Sequence, residues 1–362
     1  LILPADAAWG EVAGTAPVPV RLPARPQVSP DSLRDAATAL LSGRKAALIL
    51  GGRAMRADAL EIAGRIAAGT GAALFTERAA RWERGAGRVS PRPIPYNIEL
   101  AVDALGEFEV VICIGGRVPV GFFAYPGKPG VLLPDGCAVI ELAGHEHDLH
   151  AVLDRLAGEL GVARVAPAAV SGLTARDLAV PTGDLDADAI SVAVARALPE
   201  GAIICEESLT SAGRLAALAP TMAPHDHLPL TGGSIGIGIP LSVGAAIACP
   251  DRKVVALQAD GSGMYTVQGL WTQARENLDI LTIVFANRGY SILKGEMRNV
   301  GVNEFGRNAR RMLEIDDPAL DWCSLATGMG VEAARAETIE EFVRLLDAGL
   351  SRRGPFLIEA VL

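Results

Sequence analysis

Short apolar runs alternate with helical periods along most of this chain, and that alternation leaves few folds open. "KAALILGG", "GAALFT", "FEVVICIGG" and "CAVIELA" read as strands, with an amphipathic helix around 56 to 68 between the first two and a helix from about 147 to 160 after the last. "AIICEE", "KVVALQAD", "DILTIVFAN", "VEAAR" and "PFLIEAVL" form a second series, interleaved with helices such as "DADAISVAVARAL" and "TIEEFVRLLDAGL". Strands buried on both faces and joined by crossover helices build parallel sheets. The expected fold is α/β, with two doubly wound parallel-sheet domains.

Punctuation residues place the boundaries. Five prolines between 13 and 30 (Pro17, Pro19, Pro23, Pro26, Pro30) mark an extended linker, because proline lacks an N–H and fixes its own φ. Asp31 or Ser32 is the expected cap of the helix that follows. The first complete domain spans 31 to 161, and 162 to 185, mixed in Pro, Gly, Ser and Asp, reads as a second linker. The second domain spans 186 to 362. Residues 1 to 12, "LILPADAAWGEV", read as the last strand of an earlier unit, which would make this chain a piece of a longer protein.

Composition removes several function classes. A net charge of −9 with no basic run gives nucleic acid and anionic membranes nothing to hold. No apolar stretch approaches the ~18 residues of a membrane span. Five scattered cysteines, never in CxxC spacing, read as reduced thiols of a cytoplasmic protein. "GHEHDLHAVL" gathers His145, His147 and His150 without the HExxH spacing, so solvated histidines at a helix start are expected there. "LILGGRAM" is a strand and turn rather than a complete GxGxxG, which leaves FAD binding open.

Two strand ends carry the chemistry. Asp260 and Asn287 each follow an apolar run, 27 residues apart, with one crossover helix between them. Successive strands usually lie side by side, and open parallel sheets bind ligands beyond their carboxyl ends. A carboxylate, an amide oxygen and a backbone carbonyl suit Mg²⁺. The N–H groups of Gly261, Ser262 and Gly263 suit phosphate oxygens.

"ADGSGMYTVQGLWTQARENLDILTIVFANRGY" resembles the thiamine diphosphate motif GDG followed by a gap and NN, with Ala259 and Ala286 as departures beside intact ligand positions. "LPLTGGSIGIGIPLSVGAAIA" resembles the same family's Gly-rich stretch, and "CEESLTSAG" its diphosphate loop. The resemblance is to the acetolactate synthase, benzoylformate decarboxylase and pyruvate oxidase branch. It implies a central Rossmann-like domain followed by a pyrophosphate-binding thiamine-enzyme domain, with residues 1 to 12 closing a largely missing pyrimidine-binding domain.

The resemblance also implies Mg²⁺ on Asp260, Asn287 and the Gly289 carbonyl, with thiamine diphosphate on Ser208, Thr210, Gly261, Ser262 and Tyr290. Gly233 would offer its carbonyl to the pyrimidine amino group, and Ile235 would bend the cofactor. His225 and His227 line the substrate pocket in one reading and are plain loop residues in another. The family's activating glutamate comes from the partner subunit's pyrimidine domain, so no catalytic residue is assigned here. A homodimer or homotetramer with its site at the interface is implied, and this chain alone is expected to be inactive.

The implied activity is decarboxylation of a 2-oxo acid with carboligation. A benzoylformate-type decarboxylase and a non-catalytic cofactor-binding fragment are the alternatives. The polar segment 296 to 313 reads as a lid over substrate or as a solvated loop.

Overall fold

A computed structural model describes residues 2–11, 14, 20–77, 80–170 and 172–362. Strands β1 (Ala46–Leu50), β2 (Ala73–Thr76), β4 (Arg92–Pro93), β5 (Val110–Ile114) and β6 (Ala138–Ala143) form one sheet in the order β4-β2-β1-β5-β6. All four of its pairings are parallel. Alternate residues feed opposite cores. Leu48, Leu50, Ile112 and Ile114 pack against helices Pro30–Leu41, Ala57–Thr70 and Leu149–Glu159, while Ala47, Ile49, Val111 and Cys113 face helix Ile98–Leu105.

The second sheet takes β7 (Ile203–Glu207), β8 (His225–Pro229), β9 (Val254–Ala259), β10 (Ile280–Ala286), β11 (Glu332–Ala336) and β12 (Phe356–Val361). Its order is β11-β12-β10-β9-β7-β8-β3, where β3 is Trp82–Arg84. Every pairing is parallel except that of β3 with β8. From β7 the chain steps outward to β8 and then returns across to β9. The crevice between the ends of β7 and β9 is thus the point where strand order reverses, the usual ligand position in such a sheet. Leu257, Ile283 and Ile358 face helices Ala187–Ala197 and Ile339–Ser351, and Ala256, Val284 and Leu357 face the other side.

Both doubly wound sheets agree with the sequence reading, and several local expectations do not. The opening "LILPADAAWGEV" forms no strand: Ala5–Trp9 is a short exposed helix, and residues 1 and 12 lie outside the described residues. Of the Pro-rich linker, 13 and 15–19 also lie outside them. Ser29, not Asp31 or Ser32, caps the next helix, because Pro30 takes the first helical position, where no N–H is needed. "LTSAGRLAALA" breaks into a turn, Leu209–Ala212, and a short helix, Leu215–Leu218, since Leu209 (φ 53°) and Gly213 (φ 51°) are left-handed.

Strand β3 was not foreseen. It leaves the first sheet's segment, crosses to the edge of the second sheet and returns. The glycines of "LILGG" and "ICIGG" are there for close approach: a β-carbon on Gly51 would lie 2.3 Å from the Gly115 carbonyl oxygen.

Helix Ile339–Ser351 carries much of the second core and is fixed at its start by a reciprocal Thr338–Glu341 capping box. Phe342→Ala should cost about 3–5 kcal/mol of unfolding free energy, since the ring is fully buried. Thr338→Ala should cost about 1 kcal/mol. Urea titration compares the two, and near-equal losses would refute this placement of the core.

Candidate functional site

The carboxyl ends of β7, β9 and β10, neighbours in the sheet, converge on one rim. Asp260 follows β9 directly and is 2% exposed. One carboxylate oxygen accepts the Gly261 N–H at 2.8 Å, and the other accepts the Arg288 N–H at 2.7 Å, from the turn that follows β10. The two strand ends are therefore tied through this side chain. Burial raises the Asp260 carboxyl above the usual aspartate range, the N–H bonds from Arg288 and Gly261 oppose that, and Glu359 adds to it. A buried carboxylate held by backbone amides is one that a divalent ion would stabilise.

Asn287 stands beside it in the same turn. Its amide donates to Ser211 Oγ at 3.2 Å and to Ser291 Oγ at 3.4 Å. Its Oδ1 accepts the Gly289 N–H at 3.1 Å and keeps a second lone pair. Arg288 takes a left-handed φ of 55°, the bend that turns the chain back over Asp260. The Tyr290 ring lies against Gly261, where a β-carbon would come within 2.5 Å of Cε1. Asp260, Gly261, Asn287, Gly289 and Tyr290 thus form one group, and the donor set fits a hard cation.

The other expected residues divide. Ser262 is buried with its hydroxyl turned inward, giving a hydrogen bond to the Ala259 carbonyl at 3.2 Å and accepting from Gln258 at 2.7 Å. Only its backbone N–H, in the first turn after β9, is placed for a phosphate. The Ser208 hydroxyl is also turned away, donating to Glu206 at 2.8 Å. Thr210 is exposed and lines a cavity of about 170 Å³ together with Tyr96, Tyr125, Lys128, Ile292 and Glu296.

Gly233 (φ 66°) and Ile235 (40% exposed) lie on the Gly-rich turn beyond β8. Phe122, from the first sheet's segment, stands over Gly233, its Cζ 2.8 Å from where a β-carbon would be.

His225 and His227 are not at this rim. Asp226, between them, is level through β7 with Val254, the first residue of β9, whereas Asp260 follows the last. That separation is roughly 20 Å at about 3.3 Å per residue. Both rings are buried beside Arg84, and His227 Nδ1 lies 3.5 Å from its guanidinium. Burial pushes His225 down to about 4 and His227 well below its usual range, so both are neutral. The expected substrate-pocket role does not match this position; the histidines pack the sheet's edge.

Segment 296 to 313 is mostly helical, as parts of Ser291–Asn299 and Arg307–Leu313. Glu296 docks on the first sheet's loops, accepting from the Tyr96 hydroxyl at 3.1 Å and from the Tyr125 hydroxyl. Three residues escaped the sequence reading: Ser211, Glu207 and Gln258. The serine follows Thr210 in the same turn, so its position was within reach. The two strand-end polar residues lie inside "AIICEE" and "KVVALQAD", where they read as strand.

The family described as thiamine pyrophosphate enzyme, C-terminal TPP binding domain, matches residues 211–360. A Mycobacterium tuberculosis protein that bears the name of an acetolactate synthase large subunit, IlvX, is 43% identical over 366 residues, covering 100% of this chain and 69% of its own length. Benzoylformate decarboxylase of Pseudomonas aeruginosa is 28% identical over 269 residues, covering 70% of this chain and 49% of that enzyme. The solved structure of a thiamine diphosphate-dependent 4-hydroxybenzoylformate decarboxylase from Rhodococcus jostii RHA1 shares the fold. Its TM-score is 0.72 at 24% identity, over 98% of this chain and 67% of that one. The chain belongs to the thiamine pyrophosphate enzymes. No helix of the described residues is long and apolar enough to cross a membrane.

Because burial raises Asp260, its fully charged form requires a higher pH than an ordinary aspartate does. The group by itself favours the fold when protonated, and that contribution is lost as pH rises through its folded pKa. A bound cation reverses the preference. Thermal stabilisation by Mg²⁺ plus thiamine diphosphate should be full at neutral pH and shrink as pH falls toward the carboxylate range. Asp260→Ala should abolish it, and an undiminished shift in that variant would place the ion elsewhere.

Proposed function

We propose that this chain carries the pyrophosphate-binding half of a thiamine diphosphate- and Mg²⁺-dependent enzyme that decarboxylates a 2-oxo acid and passes the remaining unit to an acceptor carbonyl. The observation that carries the reading is the tie between Asp260 and the Asn287–Gly289 turn, two strand ends offering hard oxygens at the rim beside the strand-order reversal. The similarity to IlvX over the whole chain supports the acetolactate synthase-like form.

Asp260, Asn287 Oδ1 and the Gly289 carbonyl would hold Mg²⁺, and the N–H groups of Gly261 and Ser262 would meet the diphosphate. Thiamine diphosphate, when bound, supplies the electron sink for the pair released as CO₂ departs. Ile235, exposed on the Gly-rich turn, would meet the cofactor's body, and Gly233, its φ reserved for glycine, would direct its carbonyl to the pyrimidine. Phe122 narrows the approach to Gly233 and helps keep water off the reacting face. The cavity between Thr210, Tyr96, Tyr125 and Glu296 lies between the two sheets' loops and is the natural space for substrate.

A homodimer or homotetramer belongs to the same reading, with the activating glutamate supplied by a pyrimidine domain of the partner subunit. Assay of the complete reading frame with thiamine diphosphate, Mg²⁺ and a panel of 2-oxo acids should release CO₂. From pyruvate, the expected product is acetolactate. An aldehyde as the sole product would overturn the carboligation half. No CO₂ from any acid, with cofactor bound, would overturn the enzymatic reading.

A further inference from the structure

The Gly-rich turn raises a physical question that its own residues do not answer. Gly232, Gly233 and Gly236 all have left-handed φ, at 62°, 66° and 94°. Glycine reaches such angles without strain, and fixing it there costs more backbone entropy than any other residue. Something outside the turn must hold it in one shape.

Glu207 does so from below. It ends β7, is fully buried, and spends each carboxylate oxygen on a backbone N–H, Oε1 on Gly236 and Oε2 on Gly238. The bonds are charge-assisted and so stronger than neutral ones. The second tether is Thr266, whose hydroxyl donates to the Gly236 carbonyl at 2.6 Å. Burying a carboxylate carries a desolvation cost that an apolar side chain would avoid. Packing therefore does not explain it, whereas holding two amides at a fixed spacing does.

The partner of Glu207 across the sheet is Gln258, in register with it on β9. Gln258 is fully buried, and its amide donates to Ser262 in the turn that begins at Asp260. Among the described residues its Oε1 receives no hydrogen bond, and it points at Gly238, where a β-carbon would lie 2.3 Å from it and 2.8 Å from Glu207 Oε2. The two polar side chains thus close on one glycine from both sides of the strand-order reversal. One fixes the Gly-rich turn and the other fixes the Asp260 turn.

We propose that Glu207 is a positioning residue, which with Gln258 holds the Gly233–Ile235 turn at a set distance from the Asp260 turn so that one cofactor molecule meets both. The proposal rests on the thiamine diphosphate reading for the identity of that molecule. Its mechanical half stands on hydrogen bonds within this chain.

The test uses the complete reading frame and its Glu207→Gln form, which keeps the size but sets an NH₂ against a backbone donor. Hydrogen exchange by mass spectrometry should quicken at 232–238 and stay unchanged across β9 and β10. Affinity for thiamine diphosphate with Mg²⁺, measured by calorimetry, should weaken roughly 10- to 100-fold, the usual cost of losing a supporting group. Glu207→Asp, with the charge kept, should recover part of the affinity. Thr266→Val, which removes the second tether and leaves Glu207 intact, should also quicken exchange at 232–238, and it keeps the idea testable if Glu207 variants misfold.

Unchanged exchange at 232–238 in both Glu207→Gln and Thr266→Val would overturn the positioning role. So would faster exchange with unaltered affinity. Failure of the complete, unmodified reading frame to bind thiamine diphosphate would overturn the cofactor reading, and with it this use of the turn, irrespective of how the exchange behaves.

Discussion

The Asp260 carboxylate receives one N–H from its own turn and one from the turn beyond the neighbouring strand. That pair of bonds places the Asn287 amide, the Gly289 carbonyl and the Tyr290 ring, because the anchored amide belongs to Arg288, the left-handed residue between Asn287 and Gly289. A hydrogen-bonded carboxylate is usually a resting state. Here burial makes its charge costly, so the fold keeps a carboxylate whose energy a bound cation would lower.

The same economy recurs next door. Glu207 and Gln258 are polar groups at the ends of neighbouring strands, both fully enclosed, and both directed at loops. In an ordinary parallel sheet these positions would be Val or Ile. Their presence marks where the sheet stops being a core and becomes a scaffold. The apolar rows below them, Ile204–Val255–Leu281 and Leu257–Ile283, supply the rigidity that gives those two side chains a fixed base.

Much of this was legible in the sequence. The strand runs of both sheets stand out because residues buried on both faces read as continuous apolar blocks, and Asp260 and Asn287 interrupt those blocks at their ends. Asp260 and Asn287 were therefore singled out, and the structure brings them together. What escaped was long-range. Nothing local in "RWER" says that Trp82–Arg84 crosses to a different sheet, because edge pairing is decided by partners elsewhere in the chain. His225 and His227 read as pocket or loop residues because their short strand is stabilised by β3 and by the buried Arg84, neither visible nearby. The inward turn of the Ser208 and Ser262 hydroxyls follows from Glu206 and Gln258, acceptor and donor set by strand register rather than by spacing.

The excursion of β3 has a bearing on how the molecule holds as one body. Arg81 and Arg252 both pair with Asp226, Glu83 accepts the Ala57 N–H, and Arg88 reaches the His225 carbonyl, so the crossing is laced on both sides. A strand donated by one half of a chain to the sheet of the other works as a dovetail joint. Cutting the chain between its two sheets would strip β8 of its outer neighbour and leave an open row of main-chain donors and acceptors. The severed half would then tend to pair with copies of itself.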